Sequence, residues 1–180
     1  MTNLAVIQAR MNSTRLPGKG LEDLRGKPIL AWVVDAARAV PGIDKVCVAT
    51  STGESDNSIA AWCSDNDVIC HRGSEDDVLA RFVLAAKTEN ADVVMRLTAD
   101  CPFLDPQVCG QVLALFGRAA ADYVSNVDPP SWPDGLDCEV VSMDALATAD
   151  KEATTAHQRE HVTPFIRIDR ARFNVGNVLC

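Results

Sequence analysis

A cluster of cations follows the first apolar stretch of the chain. Leu4–Ile7 is apolar, and the thirteen residues of Ala9–Leu21 hold Arg10, Arg15 and Lys19 together with two hydroxyls, two glycines and a proline. Arginine and lysine donate charge-assisted hydrogen bonds to phosphate, and glycine lets a backbone approach phosphate closely. In a chain of net charge −8, this local excess predicts a strongly anionic ligand, most simply a nucleoside triphosphate. A solvated surface turn is the alternative that composition leaves open.

A carboxylate follows a later apolar stretch. The chain there reads Arg96-Leu97-Thr98-Ala99-Asp100. An aspartate at the end of a buried strand can hold Mg²⁺ against phosphate groups. An isolated aspartate near a proline is more often a turn or cap residue, and that alternative fits Asp105, which precedes Pro106. For Asp100 the role of metal ligand is favoured over that of a cap, because this residue should share a sheet edge with the cationic loop.

A third loop carries a weaker signal. Gly73 and Ser74 could admit a base or a ribose against the backbone, with Arg81 one or two helical turns further on. A simple helix cap explains Ser74 and Asp77 equally well, because their spacing resembles a capping box. His71 is interpreted as packing at a strand end rather than as a catalytic base.

Two polar clusters lie late in the chain. Asp137 and Glu139 are two residues apart and therefore share one side of a predicted strand. Arg159-Glu160-His161 falls in a predicted helical turn before Pro164. Paired carboxylates can bind a metal or a polyol, and a glutamate–histidine pair can transfer protons. Ion pairs that hold a loop closed remain the alternative for both clusters.

Alternating apolar patterns predict the elements that position these loops. Predicted strands are 4–9, 45–50, 67–71, 91–98, 121–126 and 137–142. Predicted helices lie near 28–39, 56–66, 75–89, 105–117 and 142–150. Several strands are continuous apolar runs, as expected for strands buried on both faces of a parallel sheet. The alternation predicts a single α/β domain whose ligands collect at the carboxyl ends of the strands.

Composition excludes several classes of protein. With 180 residues, 47% of them apolar, the chain can bury one substantial core. Its acidity argues against a nucleic-acid or membrane surface, and no apolar run approaches the roughly 20 residues that span a bilayer. Seven cysteines without a Cys-x-x-Cys spacing fit reduced thiols and a cytoplasmic location. Cys47 and Cys70 are predicted as small core residues.

The motifs together resemble the cytidylyltransferases that activate acidic sugars, which include CMP-sialic acid and CMP-ketodeoxyoctonate synthetases, and above all their spore coat polysaccharide biosynthesis branch. The run from Ile7 to Lys19 is similar to the nucleotide-binding signature of that family. Further similar segments are Val48-Ala49-Thr50, Arg72-Gly73-Ser74, Asp77–Arg81, Arg96–Pro102, Pro133–Asp137 with Glu139, and Arg159–Pro164.

The resemblance implies a three-layer α/β/α domain with a mostly parallel sheet, the nucleotide-diphospho-sugar transferase (glycosyltransferase A type) fold. It also implies transfer of CMP from CTP to a small acidic sugar with release of pyrophosphate, dependent on Mg²⁺, and it admits a homodimer. The implied catalytic cations are Arg10, Arg15 and Lys19. The implied nucleotide-binding residues are Ala9, Arg10, Ser13, Gly73, Ser74, Arg81 and Thr98. The implied sugar-binding residues are Asp137, Glu139 and His161, and the implied metal ligand is Asp100.

One departure from the family pattern is expected near the C-terminus. The resemblance fades after Arg167, and the further strand and acidic metal-binding motif of the family are not evident. Asp137, water or a partner chain would then complete the metal site. The rival hypothesis is a truncated nucleotide-binding module without turnover. A glycosyltransferase is a third reading, but its Asp-x-Asp motif would have to be Asp65-Asn66-Asp67, at a predicted helix end.

Overall fold

The computed structural model describes residues 1–12 and 16–180. Its strands are β1 (Asn3–Gln8), β2 (Asp23–Leu24), β3 (Lys27–Pro28), β4 (Lys45–Ser51), β5 (Ile69–Gly73), β6 (Val93–Thr98), β7 (Tyr123–Ser125), β8 (Glu139–Ser142) and β9 (Val175–Asn177). Its α-helices are α1 (Ile29–Arg38), α2 (Asn57–Asp65), α3 (Val78–Thr88), α4 (Pro106–Ala119), α5 (Met143–Glu152), α6 (Ala156–His161) and α7 (Pro164–Ile168).

Seven strands form one mixed sheet in the order β5-β4-β1-β6-β8-β7-β9. The pairs β5–β4, β4–β1, β1–β6 and β7–β9 are parallel, whereas β8 runs antiparallel to both β6 and β7. The remaining two strands, β2 and β3, form a small antiparallel hairpin before α1. The sheet is therefore mostly parallel, as predicted.

Helices cover both faces of the sheet. Side chains of β1 alternate between two apolar cores, with Ala5 and Ile7 in one and Leu4 and Val6 in the other. The first core contains residues of α1, α2 and α4, and the second contains residues of α3, α5 and α7. The three-layer α/β/α prediction is confirmed. The apolar run of β1 is continuous because the strand is buried on both faces, as predicted.

Local capping chemistry sets several helix starts. Asp105 accepts hydrogen bonds from the Gln107 and Val108 amides at the start of α4 (2.7 and 3.3 Å), and Ser142 accepts one from the Ala145 amide at the start of α5 (3.1 Å). Both residues therefore act as N-caps, as predicted.

Two local predictions are wrong. Helix α3 begins after Asp77, whose carboxylate accepts a hydrogen bond from the Ala80 amide (2.9 Å), so Asp77 is the N-cap and Ser74 lies outside the helix. Cys47 is fully buried, but Cys70 is only partly buried and packs against the edge of the first core. All seven cysteines carry free thiols.

The C-terminal region adds elements that periodicity did not predict. Helix α7 and strand β9 are short, and β9 gains its backbone partners from β7, about 50 residues earlier in the chain. Within the described residues, no helix has the length and apolarity needed to cross a membrane.

Candidate active site

Lys19 and Asp100 meet at the carboxyl edge of the sheet. The Lys19 ammonium contacts the Asp100 carboxylate directly, although the two residues are 81 positions apart. Adjacent parallel strands bring them together: β1 leads into the cationic loop, β6 leads to Asp100, and the Ala99 amide donates to the Gln8 carbonyl (3.0 Å). The predicted juxtaposition of the cationic loop and one carboxylate is therefore present.

The electrostatics of Asp100 favour its charged form. Burial alone would raise the pKa of this carboxyl group, but hydrogen bonds from Lys19 and Thr98 and the lysine charge together hold the pKa below its usual value. Lys19 and Asp100 keep 23% and 34% of their side-chain surfaces exposed. An incoming ligand can therefore reach both side chains and replace their contact with each other.

A buried carboxylate, Asp56, anchors the cationic loop. One oxygen of Asp56 accepts from the Met11 amide (2.7 Å) and the other accepts from the Ser51 amide at the end of β4 (3.0 Å). Asp56 is 1% exposed, and its pKa is lowered because these hydrogen bonds outweigh the opposing effect of burial. Sequence reasoning missed it, because its Met11 partner is 45 residues away and no local pattern reveals it.

Glycine closes the other end of the same loop. The Gly18 amide donates to the Met11 carbonyl (2.8 Å), and Gly18 has a φ of 76°, a conformation that favours glycine. Gly20 then passes close to Ala99, so that a Cβ there would lie 4.0 Å from the alanine Cβ. This path carries Lys19 back to the sheet edge.

The remaining predicted residues of the loop differ in position. Ala9 is buried, and its amide extends the sheet by donating to the Ala49 carbonyl (3.1 Å). Arg10 is partly exposed, and its guanidinium lies 3.8 Å from the Glu160 carboxylate of α6. Ser13 and Arg15 lie outside the described residues, so their predicted roles stay predictions.

Arg81 lies beneath the loop that follows β5. It is 1% exposed, and its Nη1 donates to the carbonyls of Ser74 (2.6 Å) and Glu75 (3.0 Å). A Cβ on Gly73 would come within 2.8 Å of the Arg81 Cγ, so glycine is needed for this close packing. Burial lowers the pKa of Arg81. Arg81 thus orders the backbone of the predicted nucleotide loop, and its direct contact with a nucleotide stays a prediction.

His71 takes the role expected of a packing residue. It lies on β5, away from Asp100, and its Nε2 is 3.0 Å from the Glu89 carboxylate, which also accepts from Lys45. The interpretation of His71 as strand-end packing is supported by this contact with Glu89.

A cavity of about 350 Å³ adjoins Asp100 along the same edge of the sheet. Four predicted site residues line it: Thr98, Asp137, Glu139 and His161. Five further lining residues were not predicted: Arg96, Val127, His157, Thr163 and Arg167. Thr98 lies two residues before Asp100, so the cavity and the Lys19–Asp100 contact are parts of one site.

Glu139 is held by neighbouring donors. It is 7% exposed and accepts from Arg96, from the Tyr123 hydroxyl (2.8 Å) and from the Thr163 hydroxyl. Although burial would raise its pKa, the charge of Arg96 and these hydrogen bonds lower it. Such a carboxylate is poorly suited to take up a proton and well suited to orient Arg96.

Asp137 has the opposite electrostatics. Burial raises the pKa of Asp137, and so does its repulsion by Asp134 and Glu139. The charge of Asp100 acts in the same direction, whereas Arg96 opposes it. Asp137 therefore faces the cavity as the carboxyl group most ready to accept a proton or to gain from a bound cation.

The alternative Asp-x-Asp motif lies elsewhere. Asp65 ends α2 and Asp67 precedes β5, so the triplet is at the amino end of the sheet, opposite the edge that holds Asp100. Its predicted position at a helix end is confirmed, and it does not contribute to the site.

A sequence profile described as Cytidylyltransferase matches residues 4–178. The chain belongs to the cytidylyltransferase family. The match extends past Arg167 and includes β9, so the expectation that the resemblance fades at Arg167 is wrong.

Relatives of this chain include two named proteins. It is 34% identical over 177 residues to the spore coat polysaccharide biosynthesis protein SpsF of Bacillus subtilis, covering 96% of this chain and 72% of that protein. It is 34% identical over 130 residues to the 3-deoxy-manno-octulosonate cytidylyltransferase of Psychrobacter cryohalolentis, covering 69% of this chain and 47% of that protein. The alignment thus spans about half the length of the latter enzyme.

A solved structure has the same fold. A cytidylyltransferase from Leptospira borgpetersenii superposes with a TM-score of 0.93 at 28% identity, covering 100% of this chain and 76% of that one. The nucleotide-sugar transferase fold implied by the sequence is therefore confirmed.

Proposed function

We propose that this cytidylyltransferase transfers CMP from CTP to a hydroxyl group of an acidic sugar and releases pyrophosphate, in the synthesis of a surface polysaccharide. The observation that carries the proposal is the contact between Lys19 and Asp100 beside a cavity that two arginines line. The SpsF relative supports the polysaccharide, and the octulosonate relative supports an acidic acceptor.

The cationic loop would bind the triphosphate. The acceptor hydroxyl attacks the α-phosphorus, a new P–O bond forms, and the bond to pyrophosphate breaks on the opposite side. Negative charge grows on the leaving group, and Arg10, Arg15 and Lys19 would stabilise it by fixed positive charge. Asp56 would hold the loop backbone in place for this purpose, since it fixes the Met11 amide.

Asp100 would hold the metal ion. Its carboxylate is charged and partly exposed, which is the donor chemistry that Mg²⁺ prefers. Among the described residues there is no group of three or more candidate ligands, which fits a Mg²⁺ that takes most of its ligands from phosphate and water. Bound Mg²⁺ would neutralise charge on the phosphates. Asp137 is repelled by the charge of Asp100, and such a cation would relieve that repulsion.

The cavity would bind the acceptor through its arginines. Arg96 is already paired with Glu139, whereas none of the ion pairs among the described residues uses Arg167. The guanidinium of Arg167 can therefore form a bidentate pair with a sugar carboxylate.

We assign to Asp137 the acceptance of the hydroxyl proton, because its pKa is raised while Glu139 is held by three donors.

The test measures pyrophosphate release from CTP and Mg²⁺ with a panel of sugar acids and their neutral analogues. Release with an acid and not with its neutral analogue is expected. A thermal shift with CTP but no release with any acid would instead indicate a binding module without turnover. Comparing CTP with UTP, ATP and GTP in the same thermal-shift assay tests the base.

A matched pair of variants tests the acceptor site. Arg167→Gln should raise the KM for the acid and leave the CTP-induced thermal shift unchanged. Arg170→Gln is the control, because Arg170 is three residues further on and forms an exposed pair with Asp128 (3.4 Å) outside the cavity. Equal effects of both variants would refute the assignment of Arg167.

A further inference from the structure

Helix α6 forms one wall of the cavity, and none of its six residues is fully buried. His157 and His161 line the cavity from this helix, with ring centroids 4.5 Å apart. All six residues of α6 are described, and each keeps some exposure to solvent. So short a helix is not stable alone in water, and the Thr155–Gln158 capping box sets its start without fixing its place on the domain. Its place is set by its packing against α3, by the fully buried Val162 that follows it, and by polar contacts.

Arg159 supplies the polar contacts to neighbouring elements. Its Nε lies 3.0 Å from both Asp77 oxygens, and its Nη2 lies 2.5 Å from one of them. The same guanidinium donates to the carbonyl (2.7 Å) and the carboxylate (2.8 Å) of Asp150 near the end of α5. Planar, bidentate contacts of this kind fix direction as well as distance.

Asp77 connects this contact to the predicted nucleotide loop. Its carboxylate caps α3 through the Ala80 amide, and its own amide donates to the Ser74 hydroxyl (3.1 Å). Arg159 thus links the wall that carries two histidines to the loop of Gly73 and Ser74. A second, weaker link joins the next residue, Glu160, to Arg10 of the cationic loop (3.8 Å).

We propose that Arg159 is a positioning residue that, through Asp77, holds α6 and the cavity's two histidines at a fixed place relative to the nucleotide loop. The reading of the cavity as the acceptor site rests on the proposed function. Arg159 itself touches neither substrate. It sets the alignment of the acceptor hydroxyl with the phosphate, and a misplacement of about 1 Å can cost on the order of 100-fold in rate.

The test variant is Asp77→Asn. Asparagine is as good an N-cap as aspartate, so α3 and the folded state should persist while the charged pair with Arg159 is lost. Arg159→Lys is the second variant, since lysine keeps the charge but not the planar fork. The control is Arg172→Gln, which breaks a bidentate pair with Glu152 at the other side of α5 (2.6 and 2.8 Å).

Two readouts separate positioning from general loss of stability. Hydrogen exchange of residues 156–161 should quicken by about tenfold in Asp77→Asn and Arg159→Lys but not in Arg172→Gln. The acceptor kcat/KM should fall by about 10- to 100-fold in the two test variants, while the CTP-induced thermal shift stays at the wild-type value.

The outcomes are distinguishable. Unchanged exchange of α6 in both test variants overturns the proposal, and so does faster exchange without any change in the acceptor kcat/KM. If the wild-type protein releases no pyrophosphate with any acid, the proposed function fails. The exchange data then decide the positioning role of Arg159 by themselves.

Discussion

Replacing Lys19 with alanine should remove most of the turnover and almost none of the stability. The Lys19–Asp100 pair is partly exposed on both sides, and ion pairs of this kind contribute about 0–1 kcal/mol to folding. For a chain of this size, 1 kcal/mol corresponds to about 2–4 °C in the melting temperature. The variant should therefore melt within about 4 °C of the wild-type protein.

The expected rate effect is much larger. Lys19 would face the charge that grows on pyrophosphate, and deleting one preorganised electrostatic contact costs about 10²–10³ in rate. Asp100→Ala should lose turnover on the same scale, because it removes the proposed metal ligand. The assay is pyrophosphate release at saturating CTP and acceptor, together with a thermal melt of each variant.

A second lysine–aspartate pair provides the matched control. Lys27 contacts Asp35 and also lies over the Trp32 ring (3.7 Å to the centroid), outside the proposed site. Lys27→Ala should lower the melting temperature at least as much as Lys19→Ala and leave turnover intact. Full turnover in both Lys19→Ala and Asp100→Ala would refute the placement of the site, and an equal loss in Lys27→Ala would refute the electrostatic reasoning.

Further predictions concern the residues that support the site. Asp56→Asn should lower the free energy of unfolding by about 2–4 kcal/mol in urea, because a charged acceptor of two amides is lost. The folded pKa of Asp56 is depressed below its ordinary 3.8, so its stabilisation is complete above that value and disappears as the pH falls through the folded pKa. If the wild-type protein and Asp56→Asn lost the same amount of stability on acidification, this reasoning would be contradicted. Glu139→Gln should cost about 3–5 kcal/mol in the same urea measurement, since it breaks a buried ion pair, and a loss below 1 kcal/mol would exclude the network. Gly73→Ala should destabilise by about 1–3 kcal/mol through its clash with Arg81. Gly117→Ala meets no atom within 4 Å and should stabilise α4 by about 0.5–1 kcal/mol.

Local pattern was enough to predict six of the seven strands of the sheet, all except β9. The apolar runs of β1, β4 and β6 identify strands because burial on both faces makes most of their positions apolar. Asp105 and Ser142 identify helix starts because a cap acts within three residues. The loops that follow parallel strands meet at the carboxyl edge of the sheet, and this rule depends on strand direction alone. It correctly predicted that Lys19 lies beside Asp100.

The supporting residues could not be predicted in this way. Asp56, Arg159 and Arg167 act on partners that are far away in sequence or on a cavity that four separate elements enclose. Strand β9 has three residues and exists because β7 offers it backbone partners. A three-residue segment is too short for its periodicity to predict that pairing.

By itself, the sequence determined the chemistry: the cations after β1, the carboxylate after β6 and the paired acids before and in β8 are set by residue type and by local strand pattern. Tertiary structure alone decided which of these groups are held by protein partners and which line the cavity. Arg81 and Glu139 differ little in type from Arg167 and Asp137, but the first two are buried and held by protein partners, even though Glu139 also lines the cavity. Arg167 and Asp137 line the same cavity. The physical reason is that burial and partners at long range set hydrogen bonding and pKa, and neither is encoded in the spacing of neighbouring residues.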